Sequence, residues 1–224
     1  MSKVIFIAVH PDDETLGCGG TILKHKDQGD EIFWMVLTGP QKGLMPHFTD
    51  EFLAKRDAML DGIANEYGFD ETIRLGFPTQ MLHTLDLRDI IQKISEVFRR
   101  IQPDTIYMMY CHDVHSDHRV AFDAVYSCTK SFRYPFIKNI YMIEALSETD
   151  FAMAIPGNSF VPNVFVDISD YIEKKLEIAS MYIGEMQDDP YPRSQSAIRA
   201  LARVRGARAG VMYAEAFQLL YEKR

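Results

Sequence analysis

Two short stretches of this chain concentrate groups that bind cations and move protons. The first is His10-Pro11-Asp12-Asp13-Glu14, directly after the apolar run Lys3–Val9, which reads as a strand. Pro11 has no N–H, so it cannot continue a ladder and turns the chain. The strand therefore delivers an imidazole and two carboxylates to its carboxyl end, the edge where ligands bind in open α/β sheets. The second stretch is His112-Asp113-Val114-His115-Ser116-Asp117-His118-Arg119, just before a helical pattern. Three of the chain's seven histidines fall within these seven positions, 112–118. Two imidazoles and one carboxylate make a three-ligand zinc site, and three protein ligands leave a position open for water. Zinc brings the pKa of such a water to about 7 and polarises a carbonyl. A free carboxylate beside it takes the water proton, and an imidazole stabilises the oxyanion or protonates the leaving nitrogen. This inventory suits metal-assisted hydrolysis of an amide or ester. The same residue types also serve plainer ends: Asp12 and Asp13 sit where helix caps and dipole-favoured acids belong.

The elements that must position these groups follow from periodicity. Strands are expected at Lys3–Val9, Glu31–Leu37, Thr72–Leu75, Thr105–Tyr110, Lys138–Glu144 and Asn163–Ile168. Helices are expected at Thr15–Gln28, Thr49–Tyr67, Leu87–Ile101 and Asp117–Thr129, and then at about 169–183, 195–205 and 209–222. In Leu87–Ile101, for instance, Ile90, Ile91, Ile94, Val97 and Phe98 recur at helical spacing. Strands alternating with helices imply right-handed βαβ units. The expected fold is a Rossmann-like three-layer α/β/α sandwich with a mostly parallel sheet in the order 3-2-1-4-5. In that order the first and fourth strands are neighbours at the switch point, and both constellations face one crevice although 108 positions separate His10 from His118. Gly17, Gly19 and Gly20 do not follow the strand at once, as a dinucleotide turn requires, so close helix–sheet packing is their expected role.

The chain has 224 residues, 47% hydrophobic and 25% charged, which predicts one domain over 1–224, the helices from about 169 packing on it. No apolar run reaches the 18 or so residues of a membrane span, and the opening reads as a strand rather than a signal peptide. The net charge of −8 argues against bulk binding to nucleic acid or an anionic membrane. From Arg193 onward seven basic residues face two acidic ones, a local excess of five that could meet an anionic group or a partner subunit, or be a solvated helix face. Cys18, Cys111 and Cys128 are odd in number and widely spaced, which fits a reduced, cytoplasmic compartment and no cysteine zinc site. His25 reads as an exposed helix residue, and His47 and His83 as loop residues able to line a cleft.

The string Ala8-Val9-His10-Pro11-Asp12-Asp13-Glu14-Thr15-Leu16-Gly17-Cys18-Gly19-Gly20-Thr21 resembles the signature of the PIG-L/LmbE-like zinc N-deacetylases. His115-Ser116-Asp117-His118-Arg119 resembles that family's second motif, and the segments Asn163–Ser169 and Tyr213–Phe217 are also family-like. The resemblance implies that His10, Asp13 and His118 are zinc ligands, that Asp12 is the general base, and that His115 assists at the oxyanion or leaving amine. It implies Zn2+ as cofactor, with Fe2+ allowed by the ligand types. The implied reaction removes an acetyl group from an N-acetylated amino sugar or its conjugate, and a homo-oligomer is compatible with the family. Arg56 matches a substrate-contacting Arg. Lys138 lies near the start of the fifth strand, where some members use an Arg, although a Lys is a point charge and no bidentate fork. Glu144, at that strand's end, could touch sugar hydroxyls.

Three other readings use parts of the same inventory. A non-haem Fe(II) oxygenase also binds iron through two His and a carboxylate, but on β-rich barrels. A metal-dependent phosphoesterase would want more carboxylates and two bridged metals. The presence of ligands, base and imidazole together speaks against an idle metal-binding homologue, which full zinc occupancy without turnover on any amide would favour.

Overall fold

The computed structural model describes residues 1–224. Its seven strands are β1 (Lys3–Ala8), β2 (Glu31–Gly39), β3 (Glu71–Pro78), β4 (Thr105–Met108), β5 (Asn139–Ile143), β6 (Val164–Asp167) and β7 (Ala214–Glu222). Its helices are α1 (Asp13–Asp27), α2 (Asp50–Tyr67), α3 (Leu87–Ile101), α4 (Ser116–Ser127), α5 (Ile172–Ala179) and α6 (Gln195–Ala209), with one 3-10 turn at Leu82–Thr84. The strands form one sheet in the order β3-β2-β1-β4-β5-β7-β6. The first five run parallel in the expected order, and β7 is antiparallel to both its neighbours.

The period-2 geometry of the strands divides the core. Ile5 and Ile7 of β1, with Phe33, Met35, Ile106 and Met108, pack under α3 and α4 through Ile90, Ile94, Phe98 and Ala121. Val4 and Phe6, with Ile32, Trp34 and Tyr107, face the other way and meet Ile22 of α1 and Leu60, Ile63 and Tyr67 of α2. Both faces of β1 are therefore covered, and its last five residues are all buried, as a central parallel strand requires. A smaller cluster of Leu16, Ile168, Ile172, Leu176 and Ile198 seats α5 and α6 beside α1. Thr49, Asp86 and Ser194 cap α2, α3 and α6 by accepting from backbone N–H groups in the first turn.

One expected element is corrected. The segment 209–222 is not a third C-terminal helix: α6 runs to Ala209, and Ala214–Glu222 forms β7 between β5 and β6. Its first four residues are buried in succession because both of its faces are covered, so no alternation betrays a strand. His25 is also not an exposed helix residue; its ring meets Asp30 at 2.8 Å and the Tyr107 hydroxyl at 3.2 Å.

Gly17 and Gly20 face the sheet with no room to spare. A Cβ at Gly20 would lie 2.7 Å from Cβ and Cγ2 of Ile168, and one at Gly17 would lie 2.7 Å from Cδ1 of Ile143. The helix backbone thus rests directly on the ends of β5 and β6. A non-helical break at Cys18 bends α1 between these contacts. No helix is long and apolar enough to cross a membrane.

Candidate metal centre and active site

β1 and β4 pair in register, Val4 with Thr105 through Phe6 with Tyr107, so their carboxyl ends lie side by side. The turn after β1 carries His10 to Asp13, and the loop after β4 carries Asp113 to His118 into the start of α4. One ligand atom from each of His10, Asp13 and His118 lies within 4.8 Å of the other two. His10, His115 and Asp117 meet the same criterion, and the two trios share the His10 ring.

Hydrogen bonding decides between them. Asp117 has both oxygens occupied by backbone: Oδ1 accepts from Leu82 N at 3.0 Å and Oδ2 from Gln80 N at 2.6 Å. His115 Nδ1 accepts from Asp117 N at 3.0 Å as the cap of α4, so the neutral ring carries its proton on Nε2. In the other trio, Asp13 Oδ1 and His118 Nε2 are buried and have no hydrogen-bond partner. His118 Nε2 is 3.3 Å from Asp13 Oδ2 but not aligned for a hydrogen bond. Buried polar atoms without partners are costly, and a cation held by His10, Asp13 and His118 would satisfy both. The donor set therefore fits a metal ion, two imidazoles and a carboxylate with room for further ligands.

The ligands are held from behind. Asp13 Oδ2 accepts from Val9 N and His10 N, each at 2.9 Å. His118 Nδ1 meets Asp113 Oδ2 at 2.9 Å; Thr149 donates its hydroxyl to Asp113 Oδ1 at 2.7 Å and accepts from Ala145 N at 3.0 Å. A carboxylate behind a ligating His fixes its tautomer and orientation. Burial opposes the charge on both Asp13 and His118, yet each sustains the other's: His118 and His10 hold the Asp13 carboxyl below the usual range, and Asp13 and Asp113 hold His118 well above it. Binding a cation must displace the His118 proton.

Asp12 stands next to this trio and is itself buried. Burial, reinforced by Asp13 and Glu185, raises its carboxyl to about 6 despite the opposing pull of Arg193. Its Oδ1 is buried and partnerless, while Oδ2 accepts from Arg193 Nη1 at 2.5 Å. Burial and the neighbouring His10 and His118 rings lower His115 to about 4, so the ring is neutral at pH 7 with its Nε2–H free to donate. Its ring centre is 4.5 Å from that of His10.

The remaining expected site residues divide. Arg56 lies on the wall of a cavity of about 320 Å³ that shares Pro11 with the turn after β1 and is also lined by Thr38, His47, Phe52 and Gln80. It pairs with Glu185 at 3.5 Å. Lys138 is brought nowhere near: it precedes β5, is exposed, and its backbone pairs with Asp104 and Lys223 at the amino edge of the sheet, opposite the trio. Glu144 does lie just past the carboxyl end of β5, but the guanidinium of Arg205 grips both its oxygens, leaving it committed to α6 rather than to a ligand. Part of the basic excess near the carboxyl end is likewise paired internally, with Arg193 on Asp12, Arg199 on Glu173 and Arg205 on Glu144. A wider cavity of about 620 Å³ between α5 and the start of α6 is lined by Ser180, Asp188, Gln195 and Arg199, none of them a member of the trio.

Sequence reasoning passed over Asp113 as a support for His118, counted Arg193 only in the basic excess, and passed over Glu148 and Glu185 altogether. Asp113 was visible five positions before His118. Arg193 is 181 positions from Asp12 and left no local signal.

An α/β sheet with a His/Asp trio and a buried carboxylate beside it at its switch point is suited to metal-assisted hydrolysis. Comparison with known proteins agrees: residues 5–129 match the family model PIG-L, GlcNAc-PI de-N-acetylase, and the chain belongs to this family. It is a hydrolytic N-deacetylase. The diacetylchitobiose deacetylase of Thermococcus kodakarensis is 26% identical over 231 residues, covering 98% of this chain and 84% of the relative. A Bacillus cereus protein described as a probable N-acetyl-alpha-D-glucosaminyl L-malate deacetylase 2 is 28% identical, covering 77% of this chain and 79% of its own. The solved structure of N,N'-diacetylchitobiose deacetylase from Pyrococcus horikoshii superimposes with a TM-score of 0.75 at 24% identity, over 98% of this chain and 84% of that one, a likeness of fold.

Proposed function

We propose that the protein removes the N-acetyl group from an N-acetylated amino sugar or its conjugate, with zinc held by His10, Asp13 and His118. The observation that carries this reading is the pair of partnerless buried ligand atoms, Asp13 Oδ1 and His118 Nε2, beside the partnerless Oδ1 of Asp12. Zinc, when bound, supplies a Lewis acid for the acetyl carbonyl and lowers the pKa of the attacking water. The chain's own groups do the rest. Asp12 Oδ1 takes the water's proton as the new C–O bond forms. Its buried position keeps the carboxylate basic enough to hold that proton, yet ionised at neutral pH. His115 donates its Nε2–H toward the oxygen that gains charge. The proton from Asp12 then goes to the amide nitrogen, the C–N bond breaks, and acetate and a free amine result.

The names of the relatives support an amino-sugar substrate. The cavity beside Pro11 is at the small end of ligand sites, matched to one sugar ring, with Arg56 and Gln80 as polar contacts and Phe52 as an apolar wall. The three free cysteines support a reducing, cytoplasmic setting. The test is acetate release by zinc-loaded protein on free, nucleotide-linked and glycoside-linked N-acetyl sugars. The expected result is release from one class, abolished in Asp12→Asn while bound zinc stays at the parent level. Unchanged turnover in Asp12→Asn would overturn the mechanism.

A further inference from the structure

Asp12 does not stand alone in its pocket. The guanidinium of Arg193 sits among three carboxylates and a hydroxyl: Nη1 is 2.5 Å from Asp12 Oδ2 and 3.2 Å from Glu185 Oε2, Nη2 is 3.6 Å from Glu148 Oε1, and Nε donates to Ser147 Oγ at 2.8 Å. Nε and Nη1 are hydrogen-bonded, Nη2 makes only the longer ion contact to Glu148, and the side chain is only 17% exposed. Its backbone is fixed as well. The carbonyl accepts from Gln187 N at 3.2 Å, and the next residue, Ser194, is the cap of α6. Ser147, the hydroxyl partner, holds a left-handed backbone (φ 71°), which turns the loop after β5 toward the guanidinium. Two loops far apart in sequence thus converge on one cation beside the general base.

We propose that Arg193 is a positioning residue for Asp12, an inference that rests on the deacetylase reading of the site. By gripping Oδ2 it makes the two oxygens of Asp12 unequal and leaves Oδ1 as the atom that takes the proton of the attacking water. A freely rotating carboxylate would present either oxygen, and only one geometry would serve the transfer. Binding an anionic substrate group does not fit Arg193, because Nε and Nη1 are already hydrogen-bonded and the surrounding carboxylates would repel an anion. Nor is positive charge alone sufficient. A Lys ammonium has no planar fork to span Ser147, Asp12 and Glu148 at once.

The test uses the full chain loaded with zinc. In Arg193→Ala, kcat is expected to fall about 100-fold with KM little changed, the cost of a small misplacement of a catalytic group. Methylguanidinium should restore part of the loss, and Arg193→Lys should restore less than a charge-only role demands. In an Asp12→Asn background the Arg193→Ala change should cost nothing further, since two residues that act as a unit are not additive. Independently of turnover, a crystal structure of zinc-loaded Arg193→Ala should show the Asp12 carboxylate rotated from its parent position. An unmoved Asp12 carboxylate, or a raised KM with unchanged kcat, would overturn the proposal. If the parent protein releases acetate from no N-acetyl sugar, the deacetylase reading fails instead, and the Asp12 position in the variant still decides whether Arg193 sets it.

Discussion

Asp13 and His118, two of the three residues proposed to hold the cation, are each held by groups outside the trio. His118 shows this best: its Nδ1 meets Asp113, Asp113 is anchored by Thr149, and Thr149 is anchored by the backbone of Ala145. Asp113→Ala would free the ring to rotate and remove a carboxylate that favours its N–H tautomer. Metal affinity is expected to fall about 10–100-fold, as for other outer partners of ligating histidines. Competition with a chromophoric chelator measures this, and unchanged affinity would assign Asp113 to packing alone. At this scale the sequence was informative where chemistry is local. His10, Asp12, Asp13, His115 and His118 lie in two short runs, and the fold brings those runs together. It was silent on the long-range partners. Lys138 was read from the resemblance and Glu144 from its place at the end of the fifth strand, and neither says anything of Arg205 gripping Glu144 or of Lys138 lying at the opposite sheet edge.

At the scale of elements, α1 is the member on which the site most depends. It begins at Asp13, and its glycines let it lie against β5 and β6 without a side chain between. Glu215 of β7 reinforces the contact by accepting from Gly20 N and Thr21 N, while Lys175 of α5 pairs with Glu215 and donates to Leu16 O. Gly20→Ala would place a methyl 2.7 Å from the Ile168 side chain, which is itself fully buried and has nowhere to go. Overpacking of this kind costs about 1–3 kcal/mol, so urea denaturation should show a lower midpoint with an unchanged slope. A variant as stable as the parent would mean that α1 can lift from the sheet. The periodic helices and the parallel strands were readable because each repeats an apolar pattern for several turns or residues. β7 was not: Ala214, Glu215, Gln218 and Leu219 are good helix formers, and only pairing to β5 and β6 makes the segment a strand.

Across the whole molecule, a cation bound at the trio would share one free energy with the fold. The trio joins β1 and α1 to α4, and the buried Asp13 and His118 have partnerless atoms without a cation. A metal that binds only the native state adds stability by mass action, about 4 kcal/mol when its free concentration is 1,000 times Kd. For a chain of this length that is roughly 10 °C in Tm. Chelation should lower the calorimetric Tm by an amount of this order, and zinc should restore it. Equal Tm values with and without zinc would show that the trio holds no cation. The βα alternation implied a mostly parallel sheet, while the order 3-2-1-4-5, which the sheet has, was an assumption that alternation alone does not fix. The antiparallel insertion at the far edge does not follow from that alternation either.

That insertion has a consequence for the order in which the protein can be made. β6 bonds only to β7, and β7 is also the outer neighbour of β5. As the chain emerges from a ribosome, strands β1 to β5 can assemble in turn, each finding a partner already present. β6 then appears with no neighbour to join and must wait through α5 and α6, while the outer side of β5 stays bare. Only when Ala214–Glu222 arrives are both open edges closed in one step. Until then the nascent chain carries one unpaired strand, β6, and an open edge on β5, the surfaces most prone to mispairing with another copy.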